Sequence, residues 1–124
     1  MKTEEIEEAI AVMFASADNV AFKEVVKGVS KATLWENPEN RSYGAFTRFV
    51  PGLDAGRHTH TKDTWLVVLK GAYLYKDEAG EKRVGPGHFI RIPGGHVHWS
   101  GADPKEGALF YEEGQGEFDL IPAK

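Results

Sequence analysis

The sequence contains no cysteine, which excludes disulfides and thiolate metal sites alike. It has no cluster of lysine and arginine, and its formal net charge is −4, so nucleic acid is not an expected partner. No apolar run approaches the roughly 18 residues that a helix needs to cross a bilayer, and no membrane partner is expected either. The stretch Met1 to Glu8 is acidic where a secretory signal would be basic, so the cytoplasm is the expected location. Internal repeats and linkers are missing too.

What is present is an ordinary globular composition. The 124 residues are enough for one hydrophobic core, and a single domain over 1–124 is expected. A hydrophobic share of 41% with 27% charged residues fits that class. Fourteen glycines and six prolines are spread along the chain, as many short turns would require.

Residues 1–18 form the expected N-terminal helical segment, with the helix over Thr3 to about Ala15. Thr3 can cap it, and Glu4, Glu5, Glu7 and Glu8 stand where the helix dipole favours negative charge. Ile6, Ile10, Met13 and Phe14 share one stripe, so the helix must dock on a sheet or a second subunit. After Asp18-Asn19 the period changes. Short β-type runs follow at Val20–Val26, Val29–Trp35, Ser42–Val50, Thr64–Leu69, Ala72–Lys76, Lys82–Val84, Phe89–Ile92, His98–Ser100, Ala108–Glu112 and Phe118–Ile121. Turn residues separate them, notably Glu36-Asn37-Pro38-Glu39-Asn40 and Pro51-Gly52. Close, regular spacing of this kind predicts an all-β sandwich or barrel.

His58-Thr59-His60 carries the chemical signal. Two histidines one residue apart on an extended strand face the same way, so their imidazoles can share one metal ion. A third, His98, recurs beyond Gly85-Pro86-Gly87 and Pro93-Gly94-Gly95.

With its spacings, the segment Gly52, His58-x-His60, Thr64, Gly71 resembles the first cupin motif, over residues 52–71. Gly87, Pro93-x-Gly95, His98, Ala102 resembles the second, over residues 87–102. The resemblance implies a double-stranded β-helix, the cupin jelly-roll barrel, here with a short N-terminal helix. The tail, Phe110-Tyr111-Glu112 and Gly116 to Pro122, is similar to small cupins without an established function and to the cupin domain of zinc-binding anti-sigma factors. What the family implies at the site is a metal held by His58, His60 and His98 at the barrel mouth.

Two departures stand out. Thr64 occupies the position where the motif normally has glutamate, and Ala102 the position where it normally has asparagine. Three neutral imidazoles leave the full charge of a divalent ion on the site and leave positions open for water or substrate. Imidazole favours Zn, Fe or Ni over Mn or Mg. The site resembles that of a few three-histidine cupin dioxygenases acting on diketones or thiols. The alternative is a cupin that has lost its metal and uses the pocket for an organic ligand.

The neighbouring residues divide by parity. Thr64, Leu66 and Val68 share the inward face of their strand and are expected to line the pocket. Asp63, Trp65 and Trp99 have the opposite parity, so Asp63 could reach a metal only through a slip or bulge. His96 is expected at the pocket rim, as a candidate general base or hydrogen-bond donor, and His88 is expected to be structural. Tyr43, Phe46, Arg48, Tyr73 and Arg91 are further candidates for the lining, and an inward arginine would favour a carboxylate or enolate.

Two functions follow as expectations. The first is a metal-dependent enzyme on a small oxygenated molecule: a dioxygenase, or an isomerase or cyclase working through a metal-bound enolate. The second is a non-catalytic module that senses or binds a metal or small ligand. A homodimer is expected in either case.

Overall fold

Alternation of buried and more exposed side chains marks the strands, most regularly over Ala108–Gly114. The computed structural model describes residues 12–124. Most of the helix expected over Thr3 to about Ala15 lies outside these residues. Its described end, residues 12–15, is irregular.

Among the described residues eleven strands follow in order: β1 (Lys23–Val26), β2 (Val29–Glu36), β3 (Tyr43–Phe49), β4 (Asp54–Thr59), β5 (Thr64–Gly71), β6 (Tyr73–Asp77), β7 (Gly80–Val84), β8 (Phe89–Ile92), β9 (His98–Ala102), β10 (Ala108–Gly114) and β11 (Ile121–Pro122). They form two antiparallel sheets, β1-β2-β3-β10-β5-β8 and β11-β4-β9-β6-β7. This is the jelly-roll arrangement. The strand expected at Phe118–Ile121 is displaced to Ile121–Pro122, because 115–120 leaves β10 and crosses to the other sheet before pairing with β4.

The two sheets close on a shared core. Phe49, Leu66, Val68 and Phe110 come from the larger sheet, and Tyr73, Tyr75, Val84 and Ala102 from the smaller. At the centre Phe49 meets Phe110 edge-on at 5.1 Å, and Tyr73 meets Phe110 at 5.6 Å. Edge-to-face pairs of this kind add to the roughly 1.5–3 kcal/mol that each such side chain contributes on burial.

The corner between β5 and β6 explains the last glycine of the first motif. The chain leaves one sheet and enters the other with only Ala72 between the strands. Gly71 makes that turn at φ 71°, and a Cβ there would stand 2.1 Å from the Gly107 carbonyl oxygen. Any side chain would therefore push two strand connections apart.

Candidate metal centre and cavity

The pairing of β4 with β9 sets His58 directly opposite His98. His60 lies just beyond the end of β4, two residues from His58 and on the same side. One ring nitrogen from each of the three histidines lies within 4.8 Å of the other two. His58 and His98 are almost completely buried, and His60 is half-buried. Tyr75 stacks on the His98 ring at 5.6 Å and fixes its plane.

The hydrogen bonds decide which nitrogen faces inward. Nδ1 of His58 donates to the Gly56 carbonyl at 2.8 Å, Nδ1 of His60 to the Asp119 carbonyl at 2.6 Å, and Nδ1 of His98 to the His96 carbonyl at 2.8 Å. A carbonyl can only accept, so each ring carries its proton on Nδ1 and keeps the Nε2 lone pair free. Main-chain partners on the far nitrogen are the usual support of a metal-ligating histidine. His98 Nε2 is buried with no hydrogen-bond partner among the described residues. An uncompensated buried acceptor of this kind is costly, and a metal ion would satisfy it. The donor set therefore fits a divalent ion.

Burial, the largest cause in each case, holds all three imidazoles below their ordinary pKa, His98 to about 4. The rings are accordingly neutral near pH 7, the form that binds metal.

The cavity behind the histidines is narrow and apolar. Its free volume is about 30 Å³, room for little more than a water molecule. Thr64 and Leu66 line it as expected. Val68 does not, because it lies deeper on the same face and is taken up by the core. Thr64 offers no carboxylate, and no aspartate or glutamate among the described residues joins the histidine cluster.

The other candidates fall outside or beneath it. His96 does not line this cavity: its ring stacks 6.4 Å from that of His98 in an open groove that both residues line, its Nε2 lies 3.0 Å from the Asp77 carboxylate, and its main-chain carbonyl accepts from His98 Nδ1. His88 accepts from the Gly85 amide in its own turn. Asp63 accepts from the Gly94 amide at 2.8 Å and pairs with Arg91, which turns that arginine outward. Arg48 also points away and lies 4.0 Å over Phe22. Phe46 packs edge-on against Tyr111, while Tyr73 does form part of the cavity wall. Trp65 binds Glu113 and Trp99 binds Asp54, both on the outside as parity requires.

Three lining residues carry no signal in the motifs. Lys31 and Glu112 form an ion pair inside the barrel, with both side chains almost fully buried. Burial pushes the Lys31 ammonium below the ordinary lysine range. Phe118, in the segment that crosses between the sheets, covers the mouth with its ring 5.9 Å from that of His60. Parity on β2 and β10 places Lys31 on the face of Val29, and Glu112 on the face of Phe110. Two opposite charges on inward positions are the signal that could have exposed the pair.

Comparison with known proteins agrees with this architecture. The family model of the ChrR cupin-like domain matches residues 10–116. Among solved structures, the polyketide cyclase RemF from Streptomyces resistomycificus is similar with a TM-score of 0.75 and 21% identity, over 92% of this chain and 87% of that one. A cupin-like protein from Thermotoga maritima gives 0.64 and 23%, over 92% and 89%. A chain in the complex of Rhodobacter sphaeroides SigE with the anti-sigma ChrR gives 0.65 and 18%, over 80% of this chain and 50% of that one. At these identities the likeness is one of fold. No curated protein matches the chain in sequence.

Proposed function

Because the chain belongs to the ChrR cupin-like domain family, we propose that it holds a divalent transition metal at His58, His60 and His98 and acts as a metal-dependent enzyme on a small oxygenated organic molecule. The supporting observation is the shared tautomer: three Nδ1–H groups tied to carbonyls leave three Nε2 lone pairs beside one another. Zn, Fe and Ni are the ions such a set favours. When bound, the ion supplies Lewis acidity or, as iron, oxygen activation.

The chain's own residues do the remainder. Thr64 leaves open the position that a carboxylate would fill. The apolar wall of Phe49, Leu66 and Phe110 leaves room for little more than one water and so strengthens electrostatic contacts inside. Dioxygenation, or isomerisation or cyclisation by proton transfer beside a carbonyl, are the reactions this arrangement suits. His96 is kept at the rim as a positioning residue for His98 rather than as a base.

The chain works as one cupin domain, in the cytoplasm, with a small molecule rather than nucleic acid or membrane as its partner. No helix among the described residues is long and apolar enough to cross a membrane. A homodimer would cover Phe14 and Phe89, which are 91% and 60% exposed.

A second reading, a non-catalytic sensor of metal or small ligand, is favoured by the tightness of the cavity. Elemental analysis of the purified protein, with oxygen uptake and substrate turnover on a panel of diketones, separates the two. Stoichiometric metal with turnover supports the enzyme, and zinc released only on unfolding, without turnover, supports the sensor. A His58→Ala variant that keeps its full metal content sinks both.

A further inference from the structure

Apart from the histidines, the charged side chains lining the cavity among the described residues are Lys31 and Glu112. Lys31 comes from β2 and Glu112 from β10, on either side of β3. Lys31 stands in register with Thr47, and Glu112 with Ala45. The Lys31 ammonium donates to Glu112 and, at 3.1 Å, to the Thr47 hydroxyl. Thr47 donates in turn to Glu112 Oε1, and the Tyr43 hydroxyl donates to Oε2 at 2.9 Å.

This accounting leaves each partner one short of its full count. Glu112 has three donors for about four lone-pair sites. An ammonium has three N–H groups, and the described residues offer Lys31 two acceptors. Above the ammonium lies the Phe118 ring, 4.2 Å from its nitrogen to the ring centroid. A cation–π contact is favourable but weaker than a charge-assisted hydrogen bond. Moreover, a buried pair like this one is seldom more stabilising than apolar side chains of the same size. Stability alone does not account for it.

The same two residues also separate two spaces. Lys31 and Phe118 face the inner cavity beside His58 and His60, and they also face a surface groove bounded by Lys23, Arg41 and Glu117. Phe118 is thus a partition whose removal would join the groove to the histidines. It sits in 115–120, a segment without strand pairing. With about 30 Å³ free, an organic molecule that reaches Lys31 from this groove must displace the ring.

We infer that Lys31 is the anchoring residue for an anionic ligand oxygen, a carboxylate or an enolate, which replaces the Phe118 ring over the ammonium while the rest of the ligand faces the histidines. Charge supports an anion over a neutral ligand. The Lys31–Glu112 pair sums to zero, the imidazoles are neutral, and Thr64 contributes no charge, so a bound divalent ion would be uncompensated. The inference rests on the metal-centre reading for what the far end of the ligand meets and for the charge that favours an anion.

Oxalate is a suitable probe, because it is a small dianion with a carboxylate at each end and the cavity it would enter is lined by both Lys31 and the histidines His58 and His60. Calorimetric titration would compare the wild type with the double variant Lys31→Met/Glu112→Gln, each loaded with Co²⁺ and each stripped by chelator. The glutamine amide oxygen can accept from one of the Thr47 and Tyr43 hydroxyls while its NH2 donates to the other, and no charge is stranded. The expected result is unchanged Co²⁺ stoichiometry with oxalate affinity lowered by about tenfold or more, the scale of one charge-assisted hydrogen bond. Equal oxalate affinity in the two proteins overturns the inference, as does a wild type that binds no oxalate in either form. If the wild type takes up no Co²⁺, the metal reading fails by itself. Weaker oxalate binding by the stripped double variant than by the stripped wild type then still supports Lys31, and equal binding overturns it. A crystal structure of the wild-type oxalate complex tests the point without any variant. A carboxylate oxygen about 3 Å from Lys31 Nζ, with Phe118 displaced, supports the inference. Oxalate bound with Phe118 still over the ammonium overturns it.

Discussion

His60 donates its Nδ1 proton to the main-chain carbonyl of Asp119 at 2.6 Å, across 59 residues of sequence. Its companions His58 and His98 are tied to carbonyls only two residues away. The orientation of one imidazole in three therefore depends on the segment that crosses the barrel mouth. That segment is held by the Asp119 carboxylate, which accepts from the Thr61 amide at 2.9 Å and from the Thr61 hydroxyl.

Asp119→Ala should accordingly loosen His60 while leaving the other two rings in place. Metal affinity is expected to fall by about 10- to 100-fold, the range for lost support behind a ligand. Competition with a chromophoric chelator measures it. Thr61→Val, which removes the hydroxyl and keeps the amide, should give a smaller loss in the same direction.

Thr64→Glu restores the carboxylate that the motif usually carries. The side chain already lines the cavity beside His58 and His60. The variant should hold a divalent ion about tenfold or more tightly, since a carboxylate adds both a ligand and a compensating charge. Its preference should shift toward Mn, and oxalate binding should weaken, as one open position is lost. Metal content after dialysis against a metal mixture reads the first two effects.

The buried pair makes an asymmetric prediction for stability. Lys31→Met alone strands the Glu112 carboxylate and should cost about 3–5 kcal/mol in denaturant unfolding. Lys31→Met/Glu112→Gln removes both charges and should recover most of that loss, ending within roughly 1–2 kcal/mol of the wild type. A double variant no more stable than the single one would show that the pair itself, not the stranded charge, holds the strands together.

The turn before β10 carries an acid-sensitive contact. Asp103 accepts from the Glu106 amide, pairs with Arg83 at 2.7 Å and also accepts from the Lys105 amide. Together these hold its carboxyl down at about 2, against an ordinary 3.8. The folded state thus binds fewer protons than the unfolded chain between those values. Its contribution is complete above about pH 4 and is lost as pH falls through 2. Thermal melts from pH 2 to 5 should show a shallower decline for Asp103→Asn than for the wild type.

The jelly-roll and the three histidines were both legible in the sequence, for a common reason. The Gly52-to-Gly71 and Gly87-to-Ala102 spacings are requirements of backbone geometry. Gly71 turns a corner that admits no Cβ, and His58 and His98 are cross-strand partners. What escaped was the polar pair. Lys31 and Glu112 share the inward parity of Val29 and Phe110, but each is a residue type that ordinarily faces solvent, and only the pairing order β2-β3-β10 brings them together. Arg48 and Arg91 were candidates for the lining whose direction alternation left open, and Phe22 and Asp63 hold them outside. Phe118 escaped because its run has β-type composition, and nothing local marks it as a crossing between sheets. Pairing partners distant in sequence decide all three cases.

The crossing segment also bears on exchange. Two of the imidazoles stand on β4 and β9 and the third just past β4, while their cover comes from residues 115–120. An ion held there would leave only as fast as that cover lifts, so its retention would be a matter of rate as much as of equilibrium. A chelator would then strip a partly unfolded chain far sooner than the folded one, even with identical donor atoms in both.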